Sequence, residues 1–245
     1  MQTATEFWND LFASGRDTAG GQSNVDVPDP NDPVLRRALR HFGEVRGKTV
    51  VDLGCGRGAA SLFFASHGAN VLSVDLSEVA IDNLAAYCSA HRIGNMRPIE
   101  MSALEIDRLR GAQFVFGSMI LHHIEPFAEF ARRLRAALDA DGKAFFWENN
   151  ANSSLMIWFR NHVVGKLWVP KHGDPDEFPL TPDEVGELRR HFRVDVEYPE
   201  LLLFRMIPLY LFRGRLIRPF EALDELGFRS EWLRKRSYRQ YVCLA

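Results

Sequence analysis

Cysteine is scarce in this sequence: Cys55, Cys88 and Cys243 lie far apart and are odd in number. They give no disulfide framework and no metal site. Thiols so placed suit a reducing cytoplasm, where we expect the protein to work. Neither sign of charge dominates. The formal net charge is −2, so no global field draws the chain toward nucleic acid. Apolar runs all fall short of the roughly 18 residues that a membrane-spanning helix requires. The opening stretch Met1–Trp8 has neither a charged n-region nor an apolar core, so no secretory leader is expected. Internal repeats and low-complexity segments are also missing.

What remains is ordinary for a folded domain: 46% hydrophobic and 25% charged residues. At 245 residues, one α/β domain with a cap is the natural reading, and two small domains would also fit. The stretch that organises the chain is Lys48–Gly58. An apolar run from Thr49 to Leu53 ends in glycines at every second position, Gly54, Gly56 and Gly58. An Ala/Leu/Phe-rich helical pattern follows from Ala59 to His67. This reads as strand, tight loop and helix, with backbone able to approach a ligand closely. In open α/β sheets such loops sit at the carboxyl ends of the strands, where ligands bind.

A second apolar run, Asn70–Asp75, ends on an acid. An acid about 20 residues beyond a glycine loop can accept hydrogen bonds from both ribose hydroxyls of a nucleoside. The loop and Asp75 together therefore indicate a nucleoside-containing cofactor. The spacing is G-x-G-x-G, not the G-x-G-x-x-G of dinucleotide sites, and no Lys-Ser/Thr pair follows to make a P-loop.

Asp52-Leu-Gly-Cys-Gly-Arg-Gly58 resembles motif I of the class I S-adenosylmethionine-dependent methyltransferases, and Ser73-Val-Asp75-Leu-Ser77 resembles their second motif. The resemblance runs to about residue 150. It implies a Rossmann-like, seven-stranded, mostly parallel sheet with helices on both faces. It also implies S-adenosylmethionine as cofactor and S-adenosylhomocysteine as product. Carried over position by position, Gly54, Cys55, Gly56 and Gly58 give backbone approach. Asp52 holds the loop or the methionine amino group, Asp75 the ribose, and Leu76 flanks the adenine. Relatives commonly carry Gly-Asp-Ala after the third strand, where this chain has Met101-Ser102-Ala103. Ser102 can accept the adenine amino hydrogen bond but carries no charge. That Ser102 or Asp52 serves only as a turn or cap residue is the weaker alternative.

In order, the patterns predict helices at 5–14 and 33–42, the latter opened by Pro33. Strands follow at 48–53, 70–75, 96–101, 113–118 and 143–148. Helices intervene from Ser77 to Arg92 and from Pro126 to Leu138, and Asp141-Gly142 turns the chain into the fifth strand. This alternation argues for a parallel sheet. Later come an apolar helix at 154–164 with Trp158 and Phe159, an irregular loop at 170–182, and a capping-box helix from Thr181-Pro182 to His191. Segments 192–198 and 238–244 alternate like strands and fit the family's closing antiparallel hairpin. Residues 200–236 between them are too long for a plain loop and read as a helical insertion. The domain plan is 1–47 as N-terminal cap, 48–150 as cofactor core and 151–245 as substrate cap, insertion and hairpin. In relatives a piece like 1–32 folds over cofactor and substrate. An ordinary docking helix and surface loop is the equal alternative.

Methyl transfer from a sulfonium needs alignment above all. A base matters where the nucleophile must lose a proton. Strand 4 ends Gly117-Ser118-Met119-Ile120-Leu121-His122-His123-Ile124, which resembles the fourth motif of small-molecule members. That places Ser118 and Met119 at the methionine end of the cofactor. Histidine titrates near neutrality, and His122 is the first choice as base, with His123 packed on backbone; both histidines could also be structural. Glu148 would orient a histidine or bind a substrate hydroxyl, with a cap as its plain alternative. His67, His91 and His191 read as surface residues, and His162 and His172 as cap residues near the acceptor. No metal ligand set is expected.

The stretch 201–218 is apolar with interspersed arginines, either a surface that meets a membrane or lipid or a lid whose arginines reach water. Both point to an apolar or aromatic small-molecule acceptor, with O-methylation favoured over C or N. The leading alternative is a lipid or quinone-like acceptor taken at a membrane surface by peripheral contact, without stable insertion. A nicotinamide oxidoreductase or a non-catalytic binding module is the reading from another class, and the glycine spacing argues against the oxidoreductase. Nucleic acid is not an expected partner, since no Asn/Asp-Pro-Pro-Tyr/Phe motif or basic domain is present. Monomer and homodimer both fit.

Overall fold

The computed structural model describes residues 3–13, 24–152, 157, 178–211 and 217–245. The expected helix at 154–164, most of the loop at 170–182, and His162, His172, Arg213 and Arg215 lie outside the described residues.

Seven strands form one sheet: β1 Thr49–Leu53, β2 Asn70–Asp75, β3 Met96–Glu100, β4 Ala112–Ser118, β5 Leu138–Asn149, β6 Val194–Glu197 and β7 Arg239–Leu244. Their spatial order is β3-β2-β1-β4-β5-β7-β6. The first five run parallel, and β7 is antiparallel to both β5 and β6. This is the sheet implied by the resemblance. The strand order reverses between β1 and β4, and at such a switch point the loops leaving neighbouring strands diverge and open a crevice.

Helices cover both faces, which is why central strands read as continuous apolar runs. On one face α2 (Pro33–Phe42), α3 (Ala59–Ser66) and α4 (Glu78–His91) pack Ala38, Phe42, Phe63, Phe64 and Leu84 against Val50, Phe114, Phe116 and Phe145. On the other, α5 (Phe127–Ala137) and α6 (Pro182–Leu188) pack Phe130, Leu134 and Leu188 against Val51, Val115, Phe146 and Val242. The helix starts follow local chemistry. Asp32 accepts from Val34 N and Leu35 N at 2.8 and 3.0 Å, with Pro33 in the first turn. Thr181 and Glu184 form a reciprocal capping box. Such caps contribute about 1 kcal/mol each.

Two expectations are corrected. Asp141-Gly142 does not turn the chain into β5, because the strand already begins at Leu138. The step from Ala112 to Phe114 on β4 faces the step from Leu138 to Lys143 on β5, so the extra β5 residues bulge out of register. Arg135 Nη2 holds the bulge by donating to Leu138 O at 3.3 Å and also to Asp139 O. In the stretch 201–218 the reading of arginines that reach water is corrected for Arg205 alone, while Arg218 is exposed. Arg205 instead pairs with Glu200 and lies 3.8 Å from Glu221.

The segment between β6 and β7 carries α7 (Met206–Leu211), α8 (Ile217–Phe228) and α9 (Glu231–Arg234). Asp224 of α8, only 5% exposed, accepts from the backbone N–H groups of Leu203, Phe204 and Arg205 at 3.2, 2.8 and 3.0 Å, tying the start of this segment to its middle. Among the described residues no helix is long and apolar enough to cross a membrane.

Candidate active site

The loop after β1 is held mainly by its own main chain. Gly54 N and Cys55 N donate to Val74 O at 2.8 and 2.9 Å, docking the loop on the end of β2. One oxygen of Asp75 then accepts from Gly56 N at 2.8 Å and the other from Ser77 N at 2.9 Å. A single carboxylate thus joins the glycine loop to the start of α4. Gly56 has φ +47°, a left-handed conformation, and a Cβ there would stand 3.4 Å from Phe12 Cζ. Backbone approach from the cavity side requires glycine at this position.

A cavity of about 450 Å³ lies along this edge. Gly54, Gly56, Asp75, Leu76, Ser102, Ala103, Ser118 and Met119 line it, so most of the sequence-predicted cofactor residues converge. A second cavity of about 260 Å³ shares Gly54 and Ser118 with the first and takes Asp52 and Cys55 into its wall. Gly58 lines neither. It caps α3 at φ +81°, and a Cβ there would come within 2.5 Å of Leu84 Cδ1. Its role is close helix packing rather than ligand approach, which corrects the sequence reading. Ser102 caps the short 3-10 helix Ala103–Arg108 by accepting from Leu104 N at 3.3 Å, while still facing the cavity.

Asp52 is 2% exposed and accepts from Ser61 Oγ at 2.6 Å. Burial pushes its carboxyl up to about 7, with the Ser61 hydroxyl opposing and the Asp75 charge adding to the rise. Burial also raises Asp75, against the backbone N–H groups that stabilise its charge. Burial and the neighbouring acids raise the Cys55 thiol too, so it stays protonated. Two carboxylates held reluctantly charged are complementary to a cationic ligand.

Sequence reasoning missed Arg57, between the second and third glycines of the motif. It lines the second cavity beside Asp26, Asp32 and Asp52, and its Nη1 is buried without a hydrogen-bond partner among the described residues. Its place inside the motif was the signal. The helix α1 (Ala4–Ala13) was left open between docking and covering, and it does cover: Trp8 and Phe12 line the larger cavity. Asn9 Oδ1 fixes it by accepting from Ser77 Oγ at 2.6 Å.

The two histidines exchange their expected places. Glu148 is fully buried at the end of β5. Its Oε1 accepts from Ile120 N and Leu121 N at 2.8 and 2.7 Å, and its Oε2 lies 2.6 Å from His122 Nδ1. The His122 side chain is only 1% exposed, and His123, not His122, lines the cavity. The reason is that Leu121–His123 is a 3-10 turn, in which successive side chains point about 120° apart. Leu121 enters the core, His122 meets Glu148 and His123 faces the cavity, its ring edge-on to Trp8 at 5.4 Å. Glu148 therefore orients His122 and anchors the loop. Met119, ahead of this turn, has φ +55°, uncommon for a residue with a Cβ, and donates its N–H to Trp147 O at 2.8 Å.

Residues 50–142 match a family model described as a methyltransferase domain. The chain is 22% identical over 176 residues to "Ubiquinone biosynthesis O-methyltransferase" of Rickettsia bellii (strain OSU 85-389), covering 71% of this chain and 72% of that one. It is 29% identical over 153 residues to the protein of the same name from Idiomarina loihiensis, covering 59% and 60%. Among solved structures it resembles a SAM-dependent methyltransferase from Aquifex aeolicus, with TM-score 0.54 and 15% identity over 88% of this chain and 97% of that one. It also resembles coclaurine N-methyltransferase bound to N-methylheliamine and SAH, with TM-score 0.57 and 13% identity over 86% and 69%. The solved structures speak for a shared fold.

Proposed function

We propose that this chain, an S-adenosylmethionine-dependent methyltransferase, methylates a hydroxyl of an apolar or aromatic small molecule by in-line displacement. The observation that carries the reading is the edge where Asp75 joins Gly56 N inside the larger cavity while Asp52 and Arg57 line the smaller one.

The residues present fit the cofactor. Arg57 Nη1 is a buried donor that a carboxylate would satisfy, and Asp52 is an acid that an ammonium would return to its charged form. In this assignment Asp75 takes the ribose hydroxyls and Leu76 flanks the adenine, with Ser102 and Ala103 beyond it. Ser118 and Met119 border the methionine end. Asp52 and Arg57 hold its amino and carboxylate groups in the second cavity. When bound, the cofactor supplies a methyl group on a sulfonium, which leaves as a neutral thioether and needs no acid.

His123 acts as the base: it faces the cavity beside Met119 and takes the hydroxyl proton as the oxygen bonds to carbon. His122 and Glu148 are positioning residues that set the backbone of the turn. Trp8 and Phe12 exclude water from the larger cavity. The test is calorimetric titration with S-adenosylmethionine and with NAD, joined to transfer of labelled methyl onto 4-methylcatechol. Binding of the first alone, with label in the catechol, is the expected result; tight NAD binding or no transfer refutes it.

One observation favours a second reading, a quinone-like acceptor met at a membrane surface. The sequence relatives carry the name "Ubiquinone biosynthesis O-methyltransferase", and Leu223, Leu226 and Trp232 are exposed on α8 and α9. Co-sedimentation with liposomes, lost on neutralising Arg213, Arg215 and Arg218, would support it.

A further inference from the structure

Because β7 runs antiparallel to β5, its first residue lies at the carboxyl edge of the sheet, where the ligand cavities open. That residue is Arg239, paired in register with Asn149. Its guanidinium stands 4.9 Å from the centre of the Trp147 ring and 5.4 Å from that of Tyr238, and its Nη1 touches Met119 Sδ at 3.2 Å. Met119 lines the larger cavity and Trp147 the smaller, so Arg239 touches one wall residue of each.

Three other half-buried arginines of this fold meet carboxylates: Arg37 meets Glu197, Arg133 meets Asp107 and Glu129, and Arg205 meets Glu200. Arg239 makes no ion pair among the described residues. It keeps a permanent charge on two aromatic faces and a thioether, none of which accepts its in-plane N–H groups strongly. These contacts hold the guanidinium in place and leave N–H groups to grip a planar anion with paired hydrogen bonds.

We propose that Arg239 is a specificity-determining residue that pairs with a carboxylate carried by the acceptor. The acceptor class is then an aromatic ring bearing both a hydroxyl and an acid group. Met119, on the wall of the larger cavity, supplies the apolar surface beside which such a ring lies. This rests on the hydroxyl-methylation reading above and sharpens it.

The test measures binding of 3,4-dihydroxybenzoate and of 4-methylcatechol to the full chain saturated with S-adenosylhomocysteine, by calorimetry. The two rings share their hydroxyls and differ in the acid. The parent protein is expected to bind the benzoate about 10- to 100-fold more tightly. Arg239→Gln should bring the two affinities together with cofactor affinity unchanged, and Arg239→Lys should restore part of the difference. Equal affinities in the parent, no binding of either ring, or a preference that survives Arg239→Gln would overturn the proposal. Methyl transfer to 4-methylcatechol, followed separately, distinguishes failure of this inference from failure of the hydroxyl-methylation reading. A protein that methylates the neutral ring without preferring the acid keeps that reading and loses this one.

Discussion

The two halves of the sheet's carboxyl edge are built from different materials. At β1 and β2 the surface facing the cavity is largely main chain, bent by glycine and tied by one carboxylate, Asp75. At β4 and β5 it is side chains from separate segments, Met119, His123 and Trp147, with Arg239 of β7 against Met119 and Trp147. A main-chain surface can serve only a ligand that always has the same shape. A side-chain surface can be altered one residue at a time without disturbing the strand beneath. The first half therefore suits an invariant cofactor and the second a particular acceptor.

Substitutions that act on one half alone test this contrast. The largest expected effect is that of Glu148→Ala. It strands two backbone N–H groups and the His122 ring in a buried place, and should cost about 3 to 5 kcal/mol in urea denaturation. Intact stability would mean the second half does not depend on that anchor. Next is His123→Ala, expected to lower turnover by about 100-fold or more while cofactor affinity holds. His122→Ala should instead lower stability. If the turnover losses fall the other way round, the two roles must be exchanged. Gly58→Ala should destabilise the fold by about 2 kcal/mol through left-handed strain and collision with Leu84. Thermal melting would show it, and no shift would return Gly58 to a ligand role.

Asp75→Ala should weaken S-adenosylmethionine binding by more than about tenfold, near 1.4 kcal/mol, with acceptor binding unchanged. Parallel loss of both ligands would dissolve the distinction between the halves. The smallest effect is set by pH. Asp52 titrates at about 7 and must be ionised to meet an ammonium, so cofactor affinity should climb by up to about tenfold between pH 6 and 8. Asp52→Asn should flatten that rise. The sign reverses for the unliganded fold. An acid raised by burial ionises first in the unfolded chain, so its contribution to stability falls as pH rises from the usual carboxylate range toward 7.

The same contrast explains what could be read in advance. The glycine loop, Asp75 and the alternation of strands and helices are local patterns, and each carries its geometry within a few residues. The mostly parallel sheet and the convergence of most of the named loop residues on one cavity were legible for that reason. The assignment of the histidines was not, because it depends on whether Leu121–His123 winds as a 3-10 turn, which Glu148 decides from a distant strand. Arg239 was invisible in sequence, since only the antiparallel course of β7 brings it to the edge. Gly58 shows the opposite failure: the motif was recognised, but Leu84, which gives that glycine its purpose, lies on another helix.

The tight winding of Leu121–His123 has one more consequence. With three residues to each revolution, one residue inserted ahead of Leu121 would turn every following side chain by a third of a circle. The ring now gripped by Glu148 would swing to the open side, and its neighbour would pass beyond it. Two adjacent imidazoles thus keep nitrogen at the proton-accepting position when one residue is gained here, whereas loss of one would bring Ile124 there instead.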